Sequence, residues 1–188
     1  GIVERRRWSE QERERYEAAV ANNRTVLTRR EEIWARSERR LERKRTLSDL
    51  RAMSPIAFEQ LVAEVFSQQD EYNAQAVGQA GDNGIDVRIH TNDGSLWAVA
   101  QCKRYDAHNR VSASEVRDFA GAFMLTDAKK GFFFTTGTFT RHAKRTAQGY
   151  PWLRTYSGPQ MVDYIEMVNA QLDAIASKDG LQTDKTEG

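Results

Sequence analysis

Apolar residues along this chain follow two periods, and the changes between them mark out its elements. Phe58, Leu61, Val62, Val65 and Phe66 fall at the spacing of a single helical face. Ser54 suits an N-cap and Pro55 the first helical position, so a helix is expected from there to about Gln69. Short alternating or continuously apolar runs then predict strands at Asn73–Val77, Ile85–His90 and Leu96–Lys103. Gly78, Gly81 and Gly84 mark a loop before the second strand, and Asn92, Asp93 and Gly94 form the turn before the third. Ser112 or Ser114 caps a helix carrying Val116, Phe119, Ala120 and Phe123. The unbroken GFFFTT run at 131–136 suits a strand covered on both faces. A helix at Arg141–Gln148, a strand at Leu153–Tyr156 and a helix at Pro159–Ser177 complete the order αβββαβαβα, an α/β core with a central mixed sheet flanked by helices.

The first quarter of the chain is built differently. From Arg5 to Arg45 there is no Gly or Pro, and Glu, Arg and Ala dominate, which predicts polar helix. Val20, Leu27, Trp34 and Leu41 recur every seven residues, but Asn23, Arg30 and Ser37 occupy the positions that would complete a coiled-coil seam. The arm therefore reads as a partial coiled coil, a stalk or a docked helix, and its arginines as either a solvated face or contacts to a nucleic-acid backbone. The expected organisation is a basic helical arm at 1–50, an α/β domain at 51–177 and a flexible tail at 178–188.

Charge sharpens that division. The net charge of +1 conceals 15 Lys and Arg against 10 Asp and Glu in residues 1–51, and 13 against 17 in the remainder. A basic arm beside an acidic body fits a phosphate-seeking segment attached to a site that collects metal. Other classes recede. No run approaches the roughly 18 apolar residues of a membrane helix. Cys102 is the single cysteine, which excludes an intrachain disulfide and suits a cytoplasmic location. His90, His108 and His142 lack zinc-ligand spacing and read as ordinary surface or edge residues. Gly1–Arg7 has neither an initiator Met nor the apolar core of a signal peptide, and reads as the start of a fragment.

Candidate chemistry sits on the second and third strands. Strand alternation places Asp86, Arg88 and His90 on one face with Ile85, Val87 and Ile89 on the other. It likewise separates Trp97, Val99, Gln101 and Lys103 from Ala98, Ala100 and Cys102. A hairpin of the two brings Asp86 beside Gln101 and Lys103. Phosphodiester cleavage needs oxygen ligands for a hard cation, an activated water and positive charge near phosphorus. Asp86 supplies the carboxylate and the Cys102 backbone carbonyl a further oxygen. Lys103 can orient or deprotonate the water, and Gln101 offers a neutral oxygen and an amide donor. Glu59, at the edge of the first helix's apolar stripe, is better placed to reach such a site than Glu64.

Four blocks, FEQLVAEVF at 58–66, GDNGIDVRI at 81–89, QCKRY at 101–105 and GFFFTTGTFTRHAKRTA at 131–147, resemble in type and order the Mrr-like branch of the restriction-endonuclease, or PD-(D/E)XK, superfamily. The resemblance runs from Leu47 to Ile165 and leaves the arm unexplained. It implies that Asp86 binds metal, that Gln101 stands where the wider superfamily has glutamate, that Lys103 is the catalytic lysine and that Glu59 joins the metal site. Asp82, in the same block, would order the loop. The chain departs from the family by lacking a glycine between Gln68 and Tyr72 and by reading LRTYSG in its late strand. The implied activity is Mg²⁺-dependent cleavage of double-stranded DNA, with Mn²⁺ able to substitute, in restriction or anti-phage defence and directed in some relatives at modified DNA. A homodimer or higher oligomer is the expected state. Arg104, Thr136, Thr138 and Arg141 are candidate DNA contacts, although a Thr-rich strand-to-helix turn serves equally as an N-cap. A catalytically silent DNA-binding or sensing module with the same fold is the alternative.

Overall fold

The computed structural model describes residues 45–77 and 84–183. The chain divides into two compact units, Arg45–Leu172 and one comprising Gly1–Lys44 with Asp173–Gly188. All but residues 45–50 of the expected arm, and Asp82 with it, lie outside the described residues. Of the second unit, the described part is the last stretch of the closing helix.

The first unit opens with α1 (Leu47–Ala52) and α2 (Pro55–Ser67). Thr46 and Asp49 form a reciprocal capping box at the first helix, and Ser54 caps the second. Leu50 is buried in the core, so residues 45–50, which the charge pattern groups with the arm, pack as part of this unit. There follow β1 (Tyr72–Ala76), β2 (Val87–Thr91), β3 (Leu96–Lys103), β4 (Arg110–Val111), α3 (Ala113–Phe123), β5 (Lys130–Thr135), β6 (Thr138–Phe139), α4 (Arg141–Gln148), β7 (Leu153–Tyr156) and α5 (Gly158–Thr183). The expected succession of elements is present. What the sequence pattern misses is α1 and the two-residue strands β4 and β6, which pair with each other and are too short to show a period.

The five-stranded sheet runs β1-β2-β3-β5-β7, antiparallel from β1 to β3 and parallel from β3 to β7. Both faces of its centre are covered. On one, Phe58, Val62 and Phe66 of α2 and Met161, Ile165 and Val168 of α5 bury Val87, Ile89, Ala98, Ala100, Phe132 and Phe134. On the other, Val116 and Phe119 of α3 and Ala143 and Ala147 of α4 bury Val99, Phe133 and Leu153. This double cover explains why β5 reads as a continuous apolar run.

Two expectations drawn from strict alternation are corrected. Ile85 joins the α3–α4 core with Val99 and not the face of Val87 and Ile89, because the β2 ladder becomes irregular before Val87. Trp97 packs against the α2–α5 core, ring-stacked on Tyr72 at 4.4 Å, and not beside Val99. Its register shifts where Ile89 faces Ala98 but His90 faces Leu96, the signature of a β-bulge. An extra residue in one strand turns the side chains beyond it to the opposite face.

Candidate active site

At the far end of the β2–β3 pair the irregularity has a chemical result. Asp86 still takes part in the ladder through its backbone, donating its N–H to the Ala100 carbonyl at 2.9 Å and accepting from Val77 N–H at 2.8 Å. Beyond it the chain turns away through Gly84, whose φ of +87° is a conformation in which a side chain is strained. Cys102 N–H therefore has no β2 carbonyl to meet. The Asp86 carboxylate takes that place, its Oδ2 accepting from Cys102 N–H at 2.6 Å and from the Gln101 side-chain amide.

Neighbouring residues fix this arrangement. Gln101 is buried, and a Cβ added at Gly84 would lie 3.1 Å from its Oε1, so glycine also leaves the amide its space. A residue's N–H and C=O point to the same edge of a strand, so the Cys102 carbonyl faces the same side as the N–H that holds Asp86. The Cys102 thiol is buried, and burial together with the nearby Asp86 and Glu59 charges pushes its pKa well above the usual thiol value. It is chemically inert, and only its backbone is placed to take part in chemistry.

Glu59 reaches this cluster from α2. It is half-buried, and desolvation, reinforced by the Asp86 charge and opposed by Lys103, raises its pKa above the ordinary glutamate value. Two carboxylates that repel one another beside a backbone carbonyl are a donor set that a divalent cation relieves. Lys103, half-buried at the end of β3, exerts its charge on Glu59, Cys102 and Glu115. Its carbonyl accepts from Thr135 Oγ1 at 2.8 Å and Thr136 N–H at 3.2 Å, which anchors the strand end to β5. Glu59 of α2, Asp86 just before β2, and Gln101, Cys102 and Lys103 of β3 thus fall in one cluster.

The candidate DNA contacts are placed less uniformly. Thr138 and Arg141 are exposed. Arg104 is half-buried and paired with Asp106 at 3.0 Å. Thr136 is fully buried, and its hydroxyl accepts from Tyr105 N–H at 2.7 Å while donating to the Tyr105 carbonyl. It fastens the segment after Lys103 and presents no group to a ligand. Thr140 caps α4 by accepting from Ala143 N–H, which accounts for that threonine as a cap.

Two residues that sequence reasoning passed over complete the surroundings of Lys103. Tyr105 donates its hydroxyl hydrogen to Glu115 Oε1, while Glu115 Oε2 accepts from the Ser112 N–H and hydroxyl at 2.8 Å each. Burial alone would raise the Glu115 pKa. The bonds from Tyr105 and Ser112, with the Lys103 charge, outweigh it and leave the pKa below the ordinary value. Burial and the same partner push Tyr105 up to about 12. The signal available in the sequence was the Ser112-to-Glu115 spacing of a capping box.

Comparison with known proteins identifies the family. A family model described as a restriction endonuclease, Mrr_cat, matches residues 50–165. The type IV methyl-directed restriction enzyme EcoKMrr of Escherichia coli (strain K12) is 34% identical over 121 residues, covering 62% of this chain and 39% of that relative's own length. Among solved structures, MspJI restriction endonuclease in complex with a 27-mer oligonucleotide aligns with a TM-score of 0.45 and 22% identity over 65% of this chain and 31% of that one. The DNA modification-dependent restriction endonuclease AspBHI aligns with a TM-score of 0.41 and 17% identity over 74% and 43%. With the matched segment spanning more than half of its 188 residues, the chain belongs to the Mrr_cat restriction endonuclease family.

Proposed function

We propose that this protein is a divalent-metal-dependent endonuclease acting on double-stranded DNA, with its reaction centre at Glu59, Asp86, Gln101, Cys102 and Lys103. The observation that carries the reading is the Asp86 carboxylate held at the open end of the β2–β3 ladder by Gln101 and Cys102 N–H, with Glu59 within the field of both Asp86 and Lys103. Such a position combines oxygen ligands with a lysine at the C-terminal end of β3, which runs parallel to β5.

Asp86, the Cys102 carbonyl and Glu59, directly or through water, are the groups that would hold Mg²⁺, with Mn²⁺ as a substitute. Few protein ligands suffice, because Mg²⁺ ordinarily binds through one or two carboxylates and keeps waters and substrate phosphate oxygens. When bound, the ion supplies Lewis acidity at the phosphoryl oxygen and lowers the pKa of an attacking water. Gln101 keeps the Asp86 side chain in one rotamer. Lys103 orients the water, or takes its proton, and offsets charge that builds on the phosphate oxygens as the bond to the leaving oxygen lengthens. Glu115, held by Tyr105 and Ser112, lies within the field of Lys103.

Restriction or defence is the setting this activity fits. The relative's methyl-directed name makes base modification in the substrate the first specificity question. The test is supercoiled-plasmid cleavage with Mg²⁺, Mn²⁺ or EDTA, on methylated and unmethylated plasmid, comparing wild type with Asp86→Ala and Lys103→Ala. Metal-dependent nicking that both variants lose is the expected outcome. DNA binding without cleavage by wild type on either plasmid would replace this reading with a catalytically silent DNA-binding module.

A further inference from the structure

Along β7 the fold leaves a groove of about 530 Å³, lined by Lys144 and Gln148 of α4 together with Arg154, Thr155 and Gln160. Among the described residues β7 is an edge strand, paired only with β5. Consecutive β7 residues, Leu153, Arg154 and Thr155, all line the groove, although alternation points them to opposite faces. The groove therefore follows the open edge of the strand and is not a pocket on one face of the sheet.

Its chemistry is one-sided. Among the described residues no Asp or Glu lines it, in a body where residues 52–188 carry 17 acids against 13 bases. Lys144 is exposed on α4, whose sequence RHAKRTAQ contains no acid either. Arg154 is exposed and makes only long bonds from one nitrogen, 3.5 Å to the Pro151 carbonyl and 3.4 Å to that of Leu153. Gln160 has its Oε1 occupied by the Ser157 N–H and hydroxyl, at 3.0 and 2.7 Å, so the group it brings to a ligand is its NH₂. Two cations, an amide nitrogen and the Thr155 hydroxyl form a set of hydrogen-bond donors with no carboxylate lining it among the described residues, which is the complement of a phosphodiester backbone.

Position supplies the second argument. Cys102 pairs with Phe134, and Phe134 with Tyr156, so the end of β7 stands two strand spacings, about 10 Å, from the reaction centre. About three base steps of duplex cover that distance. We infer that this groove binds the phosphate backbone of the DNA strand as it leaves the scissile position, with Lys144 and Arg154 as its principal contacts. The inference rests on the proposed activity for its choice of substrate, and its test is independent of cleavage.

The measurement is binding of a fluorescein-labelled duplex in EDTA across a range of salt concentrations. It compares wild type, a Lys144→Gln/Arg154→Gln pair and a Lys129→Gln/Lys130→Gln pair at the opposite end of the sheet. Each phosphate contact contributes about 0.9 to the slope of log K against log salt. The groove pair is expected to flatten that slope by about two and to weaken binding at least tenfold, while the distal pair changes affinity less than twofold. Equal effects of the two pairs would mean bulk charge alone, and no effect of the groove pair would mean no contact; either overturns the inference. A thermal shift with inorganic phosphate serves as a further arm. Stabilisation that requires Lys144 and Arg154, without any change in the duplex slope, would identify a free-anion site and also overturn it. Should the pair fail to fold, Lys144→Gln alone carries the test, because that side chain is exposed. Failure of the plasmid assay with the slope change intact would refute the nuclease and leave the groove standing.

Discussion

The two ends of β3 are built from one strand and depart from regular sheet in opposite ways. At the Leu96 end a bulge turns Trp97 onto Tyr72 and Phe132, and the departure enlarges a core. At the Lys103 end β2 leaves the ladder, and the vacated backbone N–H is taken by a carboxylate. The first irregularity satisfies apolar surface, whereas the second holds a charge that an uninterrupted ladder would have no place for. On the proposed function the strand carries stability at one end and chemistry at the other, and substitutions at the two ends should separate the two properties.

The largest effect is expected at the Lys103 end. Asp86→Asn or Lys103→Ala should lower plasmid cleavage by on the order of 10³-fold, because each removes charge from the step it serves. Asp86→Ala should in addition cost about 1–3 kcal/mol of stability by leaving Cys102 N–H without its acceptor. A variant that keeps wild-type cleavage would dissolve the contrast between the ends.

Trp97→Ala should do the reverse. Losing a large, half-buried ring costs about 3 kcal/mol in chemical denaturation. Cleavage by the protein that remains folded should stay within about twofold of wild type. A cleavage loss as large as that of Lys103→Ala would show that the two ends are coupled.

Gly84→Ala should fall between these extremes, with a stability loss of about 1–2 kcal/mol from the positive φ. The added methyl sits 3.1 Å from Gln101 Oε1, so cleavage should fall about tenfold as the amide loses its hold on Asp86. Kinetics beside a thermal melt would separate the two effects.

The smallest effect concerns Glu115. Its pKa is lowered in the folded protein, so the unfolded chain binds its proton more readily, and the stabilisation is present above the ordinary value of 4.5 and lost as pH falls through the folded value. The melting-temperature difference between wild type and Glu115→Gln should therefore shrink as pH drops from 6 to below 4.5. A difference that grows on acidification would reverse the assigned sign.

Much of this is legible before any coordinates. Helix α2, the Asn92–Gly94 turn, β3 from Leu96 to Lys103 and the α4 boundaries all follow from local periodicity and caps, since a cap or turn is a property of a few adjacent residues. The grouping of Asp86, Gln101 and Lys103 follows from strand pairing once a hairpin is assumed. What alternation misplaces, Ile85 and Trp97, lies where the backbone breaks its own period, and no side chain in the sequence announces such a break.

By itself, then, the sequence determined which residues could form elements and which blocks match a family, because both are encoded in spacing and order. Only the tertiary structure decided that Asp86 occupies a vacated backbone position, that Thr136 faces inward and that Glu115 balances Lys103. It also decided that the edge of an acidic body opens into a groove that no acid lines among the described residues. Each of these depends on residues from separate elements meeting at the sheet's C-terminal edge, and such meetings are set by packing across the two cores and not by neighbours along the chain.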